Sequence, residues 1–389
     1  MIHIGDEAMF HEMVTQLRTR GVDEIVAISS HPEESASRYG VRGIHRIGYF
    51  TDTARSRELA EDRMSRVLRT ASGESGLLDP DDPAHAVIDA IRTADGVSVA
   101  GGGNLASTWP THIFERSTIA QLARMFNKPF VVSGQTIGPF LTQPDAALVS
   151  DLLSSARLVG LREADSYTFS GRLGVPAELL NQTIDDASFL AGSAASLPAR
   201  PYCVVTMAAH INGEDPDLFD RRMAQLLDEV TERTGLDIVF FAHFGSSRPE
   251  DAVGDTIVHN RIRARMSSGA DTVFGTTDSP AAAALARGAS LSISSRYHPA
   301  VFAVSAGVPA VGIAVDDYTT TKLTGALGNF GQDGVLSLAD LLAGEGGQTV
   351  ARVWDSRDVV AAERASTVER NHAASAQWWD RVAAAVSGA

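Results

Sequence analysis

Short runs of apolar residues alternate with longer stretches of helical periodicity along most of the 389-residue chain. In the first half, the runs at 25–28, 97–100, 130–132 and 158–161 predict buried parallel strands. Helical patterns at 6–20, 53–72, 83–94, 115–127 and 145–156 lie around and between them. That order predicts a doubly wound α/β sheet rather than separate all-α and all-β parts.

The alternation restarts after the small, polar stretch Gly192-Ser193-Ala194-Ala195-Ser196-Leu197-Pro198. Strands are expected at 202–206, 238–241, 272–274, 291–294 and 310–315, joined by helices near 216–234, 251–266, 279–287, 299–306 and 320–328. The boundary is therefore placed near residue 197, giving domains of 1–197 and 198–389. A helical tail from 357 to 386 carries Trp378-Trp379, which would dock the last helix on a domain. Such a helix could cross back and tie the halves together. At the start, Gly5-Asp6-Glu7-Ala8 has the pattern of a strand-to-helix turn with only four residues before it. A first central strand would be unusually short, or lie partly outside this chain.

Composition narrows the class. Apolar residues make up 44% and charged residues 21%, as in soluble proteins with large cores. No stretch approaches the ~18 apolar residues of a membrane span, and the N-terminus lacks the pattern of a signal peptide. A cytoplasmic protein, not integral to a membrane, is expected. The net charge of −15 argues against a broad nucleic-acid or anionic-membrane surface. An anionic substrate would need cations gathered at one site. Cys203 is the only cysteine, in the apolar run Tyr202-Cys203-Val204-Val205, and is expected in a buried strand. Lys128 and Lys322 are the only lysines.

Several segments could carry chemistry. Gly101-Gly102-Gly103-Asn104 follows one predicted strand, and Ser133-Gly134-Gln135-Thr136-Ile137-Gly138-Pro139 follows the next. Each reads either as a structural turn or as a loop whose backbone approaches an anion at a strand end. Neither has the spacing of a dinucleotide fingerprint or a P-loop. Arg162 ends another strand and could offer a planar fork to a carboxylate or phosphate, or pair with Glu163 or Asp165. Ser294-Ser295-Arg296-Tyr297-His298-Pro299 is richer. Pro299 is expected to open a helix with His298 at its cap, and Arg296 and His298 would face the same way on an extended approach. Lys322 could neutralise a phosphate or be a solvated helix lysine. His210 and His243 could line a cleft or face solvent. No metal-binding pattern is present.

Together these segments resemble the polysaccharide pyruvyl transferase family. The pieces that carry the resemblance are Gly5-Asp6-Glu7-Ala8, Gly101–Asn104, Gly134–Pro139, Arg162–Ser166, Asp186-Ala187-Ser188-Phe189, Arg296-Tyr297-His298, Gly307-Val308-Pro309 and Lys322. The resemblance implies two Rossmann-like domains facing a cleft, as in GT-B glycosyltransferases. It implies an acceptor-side first domain and a donor-side second domain. It also implies transfer of pyruvate from phosphoenolpyruvate, as co-substrate, to two hydroxyls of a sugar or glycoconjugate, with a ketal formed and phosphate released. No metal or other cofactor is implied. Arg296 and His298 match the family's arginine–x–histidine element and Arg162 its earlier arginine; Tyr297 stands where leucine is usual. On this reading His298 is the general acid, and Asp6 or Glu7 orients or deprotonates the acceptor. Arg162, Arg296 and Lys322 supply cations, and Gly102, Gly103, Asn104 and Gln135 line the substrate. A nucleotide-sugar glycosyltransferase and a non-catalytic sugar- or nucleotide-binding protein remain as alternatives. The acceptor and the oligomeric state are open.

Overall fold

The computed structural model describes residues 2–50, 56–193, 197–246, 248, 251–270, 272–276 and 278–387. Residues 53–55 of the expected second helix and 194–196 of the expected boundary lie outside the described residues. The chain forms two compact units: unit 1 holds Met1–Glu12 and Ile184–Ala374, and unit 2 holds Met13–Thr183 and Ser375–Ala389.

The chain opens with β1 (Ile2–His3) and α1 (Ile4–Arg18), which runs from unit 1 into unit 2. Unit 2 continues with β2 (Val26–Ser29), α2 (Pro32–Tyr39), β3 (Arg42–His45), α3 (Arg57–Ala71), α4 (Ala84–Thr93), β4 (Val97–Val99) and β5 (Gly102–Leu105). Then come α5 (Pro110–Met125), β6 (Phe130–Ile137), α6 (Gln143–Ser154), β7 (Leu158–Leu161), α7 (Ala164–Arg172) and β8 (Leu180–Gln182). Unit 1 resumes with β9 (Tyr202–Thr206), α8 (Pro216–Thr234), β10 (Asp237–Phe241), β11 (Phe244–Gly245), α9 (Asp255–Arg263) and β12 (Thr272–Phe274). It goes on through α10 (Ser279–Gly288), β13 (Leu291–Ser294), α11 (Tyr297–Val304), β14 (Ala310–Ala314), α12 (Asp317–Gly328), β15 (Val335–Ser337), α13 (Leu338–Ala343) and α14 (Gly346–Asp355). Helix α15 (Arg357–Val386) begins in unit 1 and ends in unit 2.

In unit 1 six strands pair in parallel in the order β12-β10-β9-β13-β14-β15. The chain winds outward from β9 in one direction, then returns and winds outward from β13 in the other. That reversal is the Rossmann order, and it opens a crevice at the carboxyl ends of β9 and β13. Strand residues alternate between two cores. Cys203, Val205, Phe240 and Ile293 pack with Phe219, Met223 and Leu227 of α8. On the other face Val204 and Val239 pack with Ala300, Val301 and Phe302 of α11 and with Ile4, Ala8 and Met9 of α1. Cys203 is fully buried, as its apolar run predicts.

In unit 2 the strands β4, β6, β7 and β8 pair in parallel, with β5 also on β6. Strands β2 and β3 form a separate parallel pair. Two expected loops are strand instead. Gly102–Leu105 is β5, and the polar segment after Val132 continues β6 to Ile137, with irregular register on both sides. The hydrophobic pattern stops at Val132 because the buried positions beyond it are polar and satisfied internally. Ser133 accepts from Trp378 Nε1 (2.9 Å), Gln135 Nε2 donates to the Ala100 carbonyl (2.6 Å), and Thr136 donates to Glu163 (2.7 Å). Trp378 and Trp379 dock the end of α15 here against Val131 and against Met13 and Leu17 of α1. The opening strand is short, and it joins neither parallel sheet: β1 pairs antiparallel with β11.

Candidate active site

The carboxyl ends of β9 and β13 in unit 1 bring the Arg296-Tyr297-His298 element to the point of strand-order reversal. Helix α11 begins at Tyr297 with Arg296 as its extended cap, two residues earlier than Pro299 suggested. Proline fits anywhere in a first turn, where no backbone N–H is needed for intrahelical bonding. His298 therefore sits inside that turn, next to amides that lack intrahelical partners and carry the positive end of the helix dipole.

The two alternating residues go to different partners. Arg296 is turned onto Asp255 at the start of α9, with Nη2 2.6 Å from Oδ1 and Nε 3.2 Å from both carboxylate oxygens. Asp255 is fully buried, and its Oδ2 also accepts the amides of His243 (3.1 Å) and Phe244 (2.9 Å). One carboxylate thus fixes Arg296 and the end of β10 together. His298 is buried, and its Nε2 lies 3.6 Å from Asp185 Oδ1, with no hydrogen-bond partner among the described residues. The Tyr297 ring meets it edge-on at 5.1 Å, and Phe302 lies 6.0 Å away. Gly5 closes a third side: a Cβ there would collide with His298 Nδ1.

That contact places the first turn of α1 beside His298. Asp6 lies there 3.5 Å from His3 Nδ1, and Glu7 follows it. Burial lowers the pKa of His3; Asp6 opposes this, while Arg296 and His298 push the same way. Burial holds His243 well below the usual histidine range, reinforced by His298, Arg296 and His3. Four histidine and arginine side chains are therefore within electrostatic reach of one another. His243 lies under the site rather than facing solvent, whereas His210 is exposed and 3.2 Å from Asp316. Lys322 is not a solvated helix lysine. Its Nζ stands 4.7 Å from the ring centres of both Tyr297 and Tyr318, and 3.3 Å from the Tyr318 hydroxyl. Tyr297 thus links Lys322 to the arginine–histidine element.

Unit 2 gathers the other candidates at the carboxyl ends of β5, β6 and β7. Arg116 of α5, which no sequence signal singled out, hydrogen-bonds Asn104 and reaches Gln135 at 3.5 Å. A Cβ on Gly102 would come within 3.3 Å of all three side chains, so that glycine leaves room for a polar cluster; Gly103 follows it in β5. Arg162 is fully buried, donating from Nε to Thr136 Oγ1 (2.9 Å) and Glu163 Oε1 (3.1 Å). The pairing with Glu163 considered from sequence is present, and Glu163 also accepts from Ser166 (2.9 Å). Among the described residues, no three His, Cys, Asp or Glu side chains converge as metal ligands, and no helix is long and apolar enough to cross a membrane.

The sequence model of the polysaccharide pyruvyl transferases matches residues 3–317. The chain belongs to that family. The match covers the Gly5 turn, both strand-end segments of unit 2, Arg162 and the Arg296–His298 element, and stops short of Lys322. Lys322 therefore rests on its geometry alone. No curated protein sequence matches the chain. Among solved structures, a UDP-GlcNAc 2-epimerase from Neisseria meningitidis, bound to UDP-GlcNAc, is similar with a TM-score of 0.56 and 10% identity, over 94% of this chain and 92% of that one. CalG4, the calicheamicin glycosyltransferase, is similar with a TM-score of 0.54 and 16% identity, over 97% and 94%. The spinosyn rhamnosyltransferase SpnG gives 0.53 and 16%, over 98% of each chain. These likenesses show the fold: this pyruvyl transferase family member has the two Rossmann-like domains of the GT-B architecture.

Proposed function

We propose that the chain transfers a pyruvyl group from phosphoenolpyruvate to two hydroxyls of a sugar, forming a cyclic ketal and releasing phosphate. The observation that carries this reading is the setting of His298. A buried imidazole stands in the first turn of a helix, at the switch point of a Rossmann sheet, with a carboxylate on one side and cations nearby.

Phosphoenolpyruvate has two anionic groups and an electron-rich methylene carbon. Lys322 and the outer face of Arg296 offer the anions cationic partners, and the α11 amides offer hydrogen bonds. His298 donates its proton to the methylene carbon. The bond from the first acceptor oxygen to the adjacent carbon then forms; the carbon–oxygen bond to phosphate breaks as the second hydroxyl oxygen closes the ketal, and that hydroxyl's proton passes to the imidazole, which regains the one it gave up. Asp185 holds the imidazole in its reactive orientation, and Asp6 or Glu7 takes the acceptor proton. No metal or other cofactor enters this scheme.

Unit 1 takes the donor on this account, and unit 2 the acceptor. The polar cluster of Asn104, Arg116 and Gln135 meets sugar hydroxyls, with Gly102 and Gly103 leaving the room. Arg162 acts as a buried cation beneath the β6 and β7 ends. The protein works in the cytoplasm, where phosphoenolpyruvate is made.

Mass spectrometry of sugar acceptors incubated with phosphoenolpyruvate, or separately with nucleotide sugars, tests the reading. A pyruvyl ketal formed only with phosphoenolpyruvate is expected. A glycoside formed from a nucleotide sugar, with no ketal, would replace this reading by glycosyl transfer.

A further inference from the structure

Of the chain's four tryptophans, six tyrosines and fifteen phenylalanines, only Trp109 and Phe140 are exposed, at 46% and 63%. Large aromatic rings lose favourable burial when left in water, so two such exceptions in one place call for a ligand. Both rings lie just past strand ends in unit 2: Trp109 four residues beyond β5, and Phe140 three beyond β6. Ligands of open parallel sheets bind at those carboxyl ends.

The two segments are stitched together. The Gly138 amide donates to the Leu105 carbonyl (3.0 Å) and the Ser107 amide to the Phe140 carbonyl (3.1 Å). Ser107 Oγ accepts the Thr142 amide (2.8 Å) and donates to the buried Asp145 (2.5 Å), which also pairs with Arg57. Trp109 is further fixed by its amide bond to Ala106 (2.8 Å) and by capping α5 ahead of Pro110. The exposed rings thus stand on anchored backbone, with little ordering left to lose on binding. The same strand ends carry the polar side chains of Asn104 and Gln135.

We infer that Trp109 and Phe140 form a carbohydrate subsite that stacks on the apolar face of an acceptor pyranose. One face of such a ring presents C–H groups to an aromatic surface, while its hydroxyls turn outward to polar partners. The commitment to a sugar rests on the proposed pyruvyl transfer; the aromatic pair itself does not.

Trp109 is the one exposed tryptophan, so intrinsic fluorescence reports on it directly. Methyl glycosides of glucose, galactose, mannose and N-acetylmannosamine are titrated without phosphoenolpyruvate into wild type, Trp109→Ala, Trp109→Phe and Phe140→Ala. At least one glycoside should perturb the wild-type emission saturably, with the response lost in Trp109→Ala. In turnover, Trp109→Ala should raise the acceptor KM about tenfold. The KM for phosphoenolpyruvate and kcat should stay within about twofold, with Trp109→Phe intermediate. Absence of a response to every glycoside overturns the inference, as does an unchanged acceptor KM in Trp109→Ala. Saturable glycoside binding through Trp109 in a protein that forms no ketal would leave the subsite standing and remove pyruvyl transfer.

Discussion

The His298 ring is held by Gly5, Tyr297 and Asp185, three residues brought together from distant parts of the sequence. Asp185→Asn removes the carboxylate that lies 3.6 Å from Nε2 and keeps the size of the side chain. The expected effect is a kcat loss of at least about tenfold with the KM for phosphoenolpyruvate within about twofold, because the ring loses a group that orients it. An unchanged kcat would show that Asp185 does not orient the ring. Gly5→Ala places a methyl group against His298 Nδ1. Its expected effect is a kcat loss of at least about tenfold with a small change in thermal midpoint, because the ring must leave its rotamer. The Arg-Tyr-His element was legible because the two cationic types follow a buried strand. Asp255 and Asp185 were not, since each acquires its meaning only from a partner dozens of residues away.

Elements with clear hydrophobic periodicity match their sequence pattern: β7, β9, β13 and α8 fall where periodicity puts them. One misplacement comes from polar residues in buried positions. The second half of β6 carries Ser133, Gln135 and Thr136, all fully buried, so its pattern is that of a loop while its structure is strand. Helix α5 begins at Pro110 rather than 115, its proline marking the start better than hydrophobicity does. The end of α15 illustrates close packing of an element against a sheet. A Cβ on Gly160 in β7 would lie 2.6 Å from the Trp378 ring. Gly160→Ala should therefore destabilise the protein by about 1–3 kcal/mol through overpacking, measured by urea denaturation. Wild-type stability would show that Trp378 does not rest on β7.

Across the whole molecule, buried neutral histidines tie stability to pH. Burial lowers His259 to about 4 and His243 well below its usual value. Unfolded, both titrate near 6.5, so below that pH the unfolded chain binds the extra protons. Their contribution is complete above about pH 6.5 and is lost as pH falls towards the folded value of about 4 for His259. Unfolding free energies at pH 6.5 and 5 should differ by roughly 1–2 kcal/mol from His259, with His243 adding in the same direction. His259→Gln, which can still accept the Met207 amide, should flatten that slope; an unchanged slope would assign it to other groups. The α/β class and the family were legible in the order of strands and strand-end motifs. The division at Ile184, and the grouping of α1's first turn with His298, come from tertiary contacts that periodicity does not encode. The account turns on His298 as the proton donor in pyruvyl transfer. Phosphate release from phosphoenolpyruvate, with and without a sugar acceptor, tests it most directly in wild type and His298→Ala. Acceptor-dependent release in wild type, reduced at least ~100-fold in the variant while phosphoenolpyruvate still binds, is the predicted result. Release at the wild-type rate by His298→Ala would contradict it.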